Sequence, residues 1–420
     1  MGFNYTLGTA HNDKKSRNSL FACHILAGII NLFINTFLVA YIYSFNGNVY
    51  DYIYNVGIFN IVGYGSMLLF YLPLSYIVDK TNRVYLYRVG IMLRAALVIL
   101  VIFCGEQLAQ LLFVAGLLQG LSEAFYYSSY NVLKEEMVSR NNVKGYASAI
   151  YVISKIVEIA CPIALGALID VTTYTQVAFI VLGICLTQII ISLYIKAQRP
   201  TGSHFSLKEL FSRLKDNPIA SKKLKFLYII CILYGSVSFI TIALNICIIL
   251  EFGSNFSLGA LTSIFALISI ITLLLVNKFT KPGKRFSLSL ILGLLPILSS
   301  LSFLIEISML TIVIYNFTIA VSSIVLKYNF DVYRNSTLKA AGLYDEIAEH
   351  HTVVESLLNI SRVILFGIML AVSLLQSMLA FIILIIVTTF LNSLVLILLA
   401  VYEKKFINVE QTVDLLPQNN

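Results

Sequence analysis

This sequence has few charged residues and no tryptophan. Only 12% of its 420 residues are Asp, Glu, Lys or Arg, whereas a soluble domain carries about 25%. By contrast, 59% of the residues are hydrophobic and the mean hydropathy is +0.87, which excludes an ordinary soluble globular protein. Because tryptophan is absent, the 25 Tyr residues are the expected aromatic anchors at the membrane surface.

Motifs for nucleotide hydrolysis and metal binding are also missing. No Gly-rich loop is present to cradle a phosphate, so the chain does not hydrolyse ATP by itself. The six Cys residues fall inside apolar runs without pairing or metal-ligand spacing. The pair His350-His351 has no clustered partner ligands and is predicted to lie at the membrane surface. We therefore predict no metal, no cofactor and no enzymatic activity.

Two other classes of function stay open. One is a polytopic membrane enzyme that acts on a lipid-linked substrate, and the other is a non-transporting scaffold or sensor. The segment 330–350 is the only candidate for a catalytic loop, although its acids and Lys339 are better explained as a solvated cytoplasmic helix. Those acids are Asp331, Asp345, Glu346 and Glu349.

Apolar runs long enough to cross a membrane recur along the whole chain. A spanning helix needs roughly 20 apolar residues, and lipid offers backbone groups no hydrogen-bond partner, so each run must be helical. The twelve runs predict an all-α membrane protein with twelve transmembrane helices. They lie near 19–44, 54–77, 84–104, 108–131, 147–169, 176–195, 226–250, 257–276, 286–305, 308–328, 351–374 and 378–401.

Nearly all of the 29 Lys and Arg residues fall in segments on one side of this predicted membrane, which we call the basic side. Segments on the opposite side carry only acids, such as Asp51, Asp170 and Glu251, or no charge. Cytoplasmic loops retain Lys and Arg, so we predict a multi-pass cell-membrane protein with both termini in the cytoplasm. The net charge of +8 then reflects orientation, and no nucleic-acid partner is expected.

The basic segment 196–225 divides the chain into two halves. We predict an N-terminal six-helix bundle over 1–195, a linker over 196–225, a C-terminal six-helix bundle over 226–402 and a tail over 403–420. Short similarities at a nearly constant offset suggest duplicated halves. In the linker, apolar residues at i, i+3, i+4 and i+7 predict an amphipathic helix, which lies on the inner leaflet or packs beneath the bundles. They are Leu207, Leu210, Phe211 and Leu214.

The turn after the second run reads Ser75-Tyr76-Ile77-Val78-Asp79-Lys80-Thr81-Asn82-Arg83. It resembles the major facilitator superfamily signature G-x-x-x-D-[RK]-x-[GN]-R, with Ser75 in place of the leading Gly. A carboxylate and two cations in a short turn can lock neighbouring helix ends through charge-assisted bonds. The resemblance implies the major facilitator fold and a small-molecule substrate, and we expect a functional monomer. It also implies a cytoplasmic gate at Asp79, Lys80, Asn82 and Arg83.

Two further family signatures are reduced in this chain. Proton antiporters of the family carry R-x-x-Q-G in helix 4, but Gly116-Leu117-Leu118-Gln119-Gly120 lacks the Arg. The antiporter motif of helix 5 is reduced to Cys161-Pro162 with Gly166. Coupling through the family's usual residues is therefore not expected, and the sequence does not assign a substrate-defined subfamily.

Six ionisable residues lie inside the apolar runs. A charge near the bilayer centre costs at least about 2.5–3.5 kcal/mol, so these side chains must pair or face a cavity. We expect Glu123 to pair with Lys155 at similar depth, and Lys155 also shares a helix face with Glu158. Ion pairs that only fasten helices together are the alternative to substrate binding or proton coupling. The six are Arg94, Glu123, Lys155, Glu158, Glu355 and Arg362.

The resemblance makes helix 3 peripheral, so Arg94 is expected to brace the turn that contains Asp79. Helices 1, 4, 7 and 10 line the central cavity in the family, and here each carries polar residues on one face. We interpret the Gly residues of these faces as packing positions. The remaining cavity candidates are Asn31, Asn35, Tyr127, Tyr234, Asn245 and Tyr315.

These observations together predict a secondary active transporter, for uptake or efflux, that works by alternating access. Tyr, Asn and balanced charges suit an amphipathic or zwitterionic organic solute better than a bare ion. Protons are the candidate coupling ion. Protonation of Glu123 would release Lys155 to Glu158, which gives a charge switch between helices 4 and 5.

Overall fold

The structure is a computed structural model that describes residues 14–45, 47–137, 143–196, 205–279, 285–340 and 347–407. Within these ranges the chain is helical and contains no strand. The predicted architecture is confirmed for the described residues. Eleven stretches are long and apolar enough to cross a membrane, and one of them, Arg83–Lys134, contains two helices, so that twelve transmembrane helices form two six-helix bundles. Each of the twelve apolar runs corresponds to one helix, which we number α1 to α12.

In the first half, α1 consists of Lys14–Leu32, a π-helical segment Phe33–Leu38 and Val39–Ser44. Helices α2 to α6 span Val49–Lys80, Arg83–Cys104, Leu112–Met137, Val143–Val171 and Tyr174–Ser192. A short linker helix covers Leu207–Asp216. In the second half, α7 consists of Pro218–Tyr234 and Ser236–Phe252, and α8 to α12 span Asn255–Phe279, Arg285–Ser300, Met309–Ala340, Ile347–Leu374 and Met378–Tyr402.

Helices α3 and α4 come from one apolar stretch of 52 residues, Arg83–Lys134. As a single helix this stretch would be about 78 Å long, more than twice the hydrocarbon thickness. A 3-10 turn at Gly105–Leu111 interrupts it. Gly105 has φ +49°, a conformation that glycine adopts without the steric cost of a side chain. The chain therefore reverses direction there and crosses the membrane twice.

Among the described residues, the buried apolar clusters join the two halves on one side of the membrane. Near the opposite side, one buried cluster contains residues of both halves, such as Ile34 and Phe366. Near the basic side, the main clusters are separate: Tyr87 belongs to a first-half cluster and Leu227 to a second-half cluster. Apolar packing therefore closes the opposite side and leaves the halves less joined on the basic side.

Close helix crossings account for the closed side. A Cβ atom at Gly166 of α5 would overlap the carbonyl oxygen of Asn255, and one at Gly259 of α8 would overlap that of Pro162. Small residues let helix backbones approach closely in a membrane.

Helices α2 and α11 also remain in contact near the basic side, where the Thr352 hydroxyl donates to the Ser75 hydroxyl at 2.9 Å.

The linker helix packs against the second half, which is one of the two placements that the sequence allowed. Leu210 is fully buried and Leu214 is 6% exposed, in the same cluster as residues of α7, α10, α11 and α12. The Ser206 side chain caps the helix by accepting from the Glu209 N–H at 3.3 Å. Phe211 remains 45% exposed.

The interpretation of the helix 4 glycines as packing positions is confirmed, and it yields a prediction. A Cβ atom at Gly120 would overlap the Gly63 carbonyl oxygen of α2. We expect Gly120→Ala to destabilise the protein by about 1–3 kcal/mol through overpacking, seen as a lower thermal-unfolding midpoint in detergent. Gly65→Ala is the matched control, because nothing lies within 4 Å of its Cβ position. Equal midpoints for the two variants would contradict this account.

Candidate functional site

Charged side chains from both halves meet in the middle of the membrane. Glu123 of α4 accepts a hydrogen bond from the Gln119 side-chain nitrogen at 2.8 Å. Three other charges interact with it electrostatically: Arg94, Arg362 and Glu355. Since α4 belongs to the first half and α11 to the second, Glu123, Glu355 and Arg362 form a charged site between the halves, which we call the central site.

Arg362 is held on α11 by neutral groups of three helices. Its Nε donates to the Ser238 hydroxyl of α7 at 3.1 Å, and Nη1 donates to Asn359 Oδ1 at 2.9 Å. The guanidinium carbon lies 5.0 Å from the centre of the Tyr64 ring of α2, within range of a cation–π contact. Within the described part of the chain, the remaining nitrogen, Nη2, makes no hydrogen bond. The cation is thus positioned with one donor group free for a ligand.

Two of the predicted cavity residues lie beside the central site. Asn31 of α1 donates to the Tyr127 hydroxyl of α4 at 3.4 Å, and the Glu123 and Glu355 carboxylates both act on Tyr127. Tyr64 and Ser238 complete the lining, and neither was among the predicted site residues. Ser238 lies four residues after the predicted cavity residue Tyr234, on the same face of helix 7. Tyr64 carried no signal, since it is one Tyr among many on an apolar helix.

The predicted ion pair between Glu123 and Lys155 is absent from the described part of the chain. Lys155 donates instead to Glu158 Oε2 at 2.5 Å, one turn along α5. The Lys155 side chain is 14% exposed and that of Glu158 is 48% exposed. A partner one turn away on the same helix is available in every conformation, whereas Glu123 belongs to another helix and is bonded to Gln119.

Lys155 and Glu158 face the second half across a gap near the basic side. Lys327 of α10 is exposed, and Glu158, Lys155 and Asp331 act on it electrostatically. Tyr151 of α5 interacts with Glu158 and with Tyr328 of α10. We call Tyr151, Lys155, Glu158, Lys327 and Tyr328 the basic-side cleft. Lys327 lies at the end of the tenth apolar run, 308–328, and in the sequence it therefore counts among the charges of the basic side.

The remaining predicted cavity residues make packing or backbone contacts, and Arg362 also acts electrostatically on Tyr234. Asn245 donates to the Asn35 carbonyl at 3.4 Å, which joins α7 to α1. Tyr234 stacks on Phe330 with ring centres 4.1 Å apart. Tyr315 is 1% exposed, and its hydroxyl is hydrogen-bonded to that of Thr389 on α12 at 2.5 Å. Tyr234 and Tyr315 therefore have packing contacts within the second half.

Arg94 lies deep inside the first half, and the expectation that it braces the Asp79 turn is wrong. It is fully buried, with its guanidinium carbon 4.8 Å from the centre of the Tyr126 ring of α4. None of its three side-chain nitrogens has a hydrogen-bond partner in the described part of the chain. Arg94 lies eleven residues after Arg83 on α3, about three helical turns or 16 Å from the Asp79 turn, which is too far for its side chain to reach.

Three residues of the predicted gate motif have described side chains. The Asn82 side chain caps α3 by accepting from the Val84 N–H at 3.1 Å. Arg83 is 3% exposed, and its Nε donates to the Val78 carbonyl at 3.4 Å. Lys80 contacts the Tyr76 ring and hydroxyl. The side chain of Asp79 lies outside the described residues, so the locking contact itself stays a prediction.

Asp170, at the end of α5, holds the first residues of α8 on the opposite side. Its carboxylate accepts from the Ser254 hydroxyl at 2.8 Å and from the Phe256 N–H at 2.9 Å. It also accepts from the Asn255 N–H at 3.2 Å and from the Asn255 side chain at 3.0 Å. A carboxylate at a helix N-terminus satisfies free N–H groups and the helix dipole. We call Asp170 with residues 254–256 the outer latch, because it joins the two halves.

The first turns of α11 are also packed more tightly than the sequence suggested. His350 is fully buried and His351 is 5% exposed, so the prediction of a membrane-surface pair is wrong. Glu349 is 5% exposed and accepts from the Ser206 N–H at 2.9 Å. Packing of the linker helix against α11 covers this region. Asp345 and Glu346 lie outside the described residues.

Comparison with known proteins gives a consistent result. A sequence profile described as Major Facilitator Superfamily matches residues 20–344. The uncharacterised protein YqgE of Bacillus subtilis strain 168 is 26% identical over 188 residues, which are 44% of this chain and 42% of that protein. The match therefore spans less than half the length of that relative.

Three solved transporter structures share the fold along most of their length. A POT family transporter in complex with a thioalcohol-conjugated peptide has a TM-score of 0.65 at 15% identity, covering 93% of this chain and 96% of that one. A bacterial homologue of the iron transporter ferroportin, in an inward-facing state, has a TM-score of 0.62 at 13% identity. The match covers 92% of this chain and 98% of that one. The human organic anion transporter MFSD10 has a TM-score of 0.59 at 14% identity. The match covers 92% of this chain and 99% of that one. At these identities the similarity is one of fold.

Proposed function

Because the chain belongs to the Major Facilitator Superfamily and is a membrane transporter, we propose that it moves a small organic solute by alternating access. The solute binds at the central site between the halves. The observation that carries this proposal is the pairing of a charged midplane site with a core that is continuous on one side and divided on the other. Rocking of two bundles about such a site exposes it alternately to each side.

The central site favours a zwitterionic or amphipathic solute. Arg362 presents a free guanidinium nitrogen that suits a carboxylate, and the Glu123 and Glu355 carboxylates suit an amine. Tyr64 and Tyr127 provide apolar ring surface beside these charges. A site that uses both signs of charge leaves neither sign unbalanced when the solute binds, which limits the desolvation cost.

The proposal also includes the orientation of the protein in the membrane and its coupling ion. We propose that the basic side faces the cytoplasm, with both termini there. The gradient is supplied by protons, and Glu123 is the group that exchanges them. Since Lys155 is bonded to Glu158, the charge that responds to Glu123 is Arg362 on the opposite half. The chain works as a monomer divided at the linker 196–225, and it is not an enzyme.

Uptake into proteoliposomes tests the proposal directly. Purified protein is reconstituted into vesicles, and uptake of a broad panel of amino acids, amines and carboxylic acids is measured with and without a pH gradient. We expect gradient-stimulated accumulation of at least one solute, and Arg362→Gln should lower its initial rate. No accumulation of any solute under either gradient direction, in vesicles shown to be tight, would refute the transport proposal.

The gate motif gives a separate prediction. Asp79 sits at the basic-side end of α2, where α2 meets α11 through Ser75 and Thr352. We propose that Asp79, Lys80 and Arg83 hold the basic side shut in the alternate state. Asp79→Asn should abolish turnover while leaving membrane insertion and the unfolding midpoint unchanged. Transport at the wild-type rate in that variant would leave the motif with a topological role only.

A further inference from the structure

The basic-side cleft contains a lysine whose charge is unmatched. Lys327 lies in the membrane-spanning stretch Met309–Arg334, is exposed, and makes neither a hydrogen bond nor an ion pair within the described part of the chain. An unpaired cation in a transmembrane helix is costly unless it faces water or a ligand. Its side chain faces the cleft, because the charges that act on it from the other half are Lys155 and Glu158.

The neighbouring acids are already matched by cations on their own helices. Glu158 is paired with Lys155 at 2.5 Å, and Asp331 is paired with Arg334 at 3.6 Å, each one turn away. Lys327, Lys155 and Arg334 carry three positive charges, and Glu158 and Asp331 carry two negative ones. One net positive charge therefore remains at the cleft. Tyr151 and Tyr328 are 40% and 42% exposed at its edge. An amphipathic anion therefore meets an unmatched cation and two aromatic surfaces.

We propose that this cleft is a second binding site, for an oxyanion group of the transported solute, either a carboxylate or a phosphate. The proposal rests on the transport function and extends it. The oxyanion binds between the ammonium groups of Lys327 and Lys155 and competes with Glu158 for Lys155. Because Lys155 belongs to the first half and Lys327 to the second, the bound anion attracts α5 and α10 toward each other across the gap.

The proposed second site lies between the basic side and the central site, as judged from positions along the helices. Lys155 is 16 residues from Val171 at the opposite-side end of α5, about 24 Å at 1.5 Å per residue. Glu123 is eleven residues from Leu112 at the same end of α4, about 17 Å. The cleft therefore lies several ångströms closer to the basic side. A solute that enters from that side contacts Lys327 before it contacts Arg362.

The absence of tryptophan from the chain permits a direct binding experiment. The full-length variant Tyr151→Trp carries a single Trp at the edge of the cleft, and Tyr328→Trp is an independent reporter from the other half. Fluorescence is titrated with succinate and with inorganic phosphate at constant ionic strength, and with tetramethylammonium chloride as the cationic comparison. We expect a saturable change with at least one anion and none with the cation.

Two lysine variants in the same reporter background identify the binding group. Lys327→Gln should weaken anion binding about tenfold or more, because it removes a hydrogen bond to a charged group. Lys327→Arg should retain binding. Lys278→Gln is the matched control: it removes an exposed lysine at the basic-side end of α8, where Lys278 contacts Phe279.

The outcomes separate this inference from the transport proposal. No saturable response to either anion in both reporters, with monodisperse protein, overturns the inference, as does equal affinity in Lys327→Gln. If uptake is found for a solute without an oxyanion group while the cleft binds no anion, transport stands and the second site does not. If the reporters bind an anion that Lys327→Gln releases but no solute is taken up, the site stands and the transport proposal fails.

Discussion

Replacing Asp170 with Ala should open the opposite side of the protein and slow the transport cycle. The variant loses every hydrogen bond of the outer latch, including those from the Asn255 and Phe256 N–H groups. Loss of a helix-capping side chain costs about 1–2 kcal/mol, which corresponds to about a 5- to 30-fold shift in an equilibrium between two states. Initial uptake rates in proteoliposomes measure the effect, with the unfolding midpoint recorded in parallel.

One conservative variant and one control test that expectation further. Asp170→Asn keeps one carbonyl oxygen as acceptor, so its effect should be smaller than that of Asp170→Ala. Glu106→Gln removes an exposed carboxylate from the same side of the membrane, where it makes no hydrogen bond within the described residues, and should leave uptake unchanged. If Asp170→Ala transports like Glu106→Gln, the latch does not stabilise the closed state.

The second large effect is expected at the central site. Glu123→Gln keeps the shape of the side chain but cannot carry a negative charge or exchange a proton. We expect solute exchange across the membrane to persist while accumulation driven by a pH gradient is lost. Counterflow of a labelled solute measures exchange, and net uptake under an imposed gradient measures accumulation, so that one vesicle preparation gives both.

The Glu123→Gln experiment distinguishes a coupling role for Glu123 from a purely structural one. Arg362→Lys keeps the cation but loses the planar group that contacts Ser238, Asn359 and Tyr64, so it should impair exchange as well as accumulation. Asp51→Asn removes an exposed carboxylate on the opposite side and serves as the control. Normal accumulation by Glu123→Gln would place the coupling site elsewhere.

The fold could be predicted from the sequence because a membrane helix depends on the average hydropathy of its whole spanning segment. Apolar length, loop charge and the turn at Asp79 each depend on many residues or on a short contiguous motif. The division between α3 and α4 was also predictable, since Gly105 and Glu106 interrupt an otherwise apolar stretch of 52 residues. The glycines of helix 4 could be assigned to packing from their spacing alone.

The partners of the buried charges could not be predicted in the same way. Position along the helices predicted a similar depth for Glu123 and Lys155, whereas Lys155 lies several ångströms closer to the basic side. The rotation of each side chain about its helix axis was not predictable either. Lys155 faces α10 and Glu123 faces α11, so the two point to different parts of the gap. Arg94 and His350 were misplaced because burial depends on which neighbouring helix covers them.

The asymmetry between the two sides of the membrane is the central claim, and paired spin labels measure it most directly. One pair, at Val152 and Val332, joins exposed positions of α5 and α10 near the basic side. The other, at Val171 and Phe256, joins exposed positions beside the outer latch. In the ligand-free protein we predict a short, narrow distance distribution for the second pair and a longer one for the first.

Asp170→Ala should then change the two distances in opposite directions. The pair beside the latch should gain a longer population, and the pair near the basic side should gain a shorter one, because the halves rock about the central site. Distances that lengthen together, or a latch pair that stays short in Asp170→Ala while transport is lost, would contradict alternating access controlled by this latch.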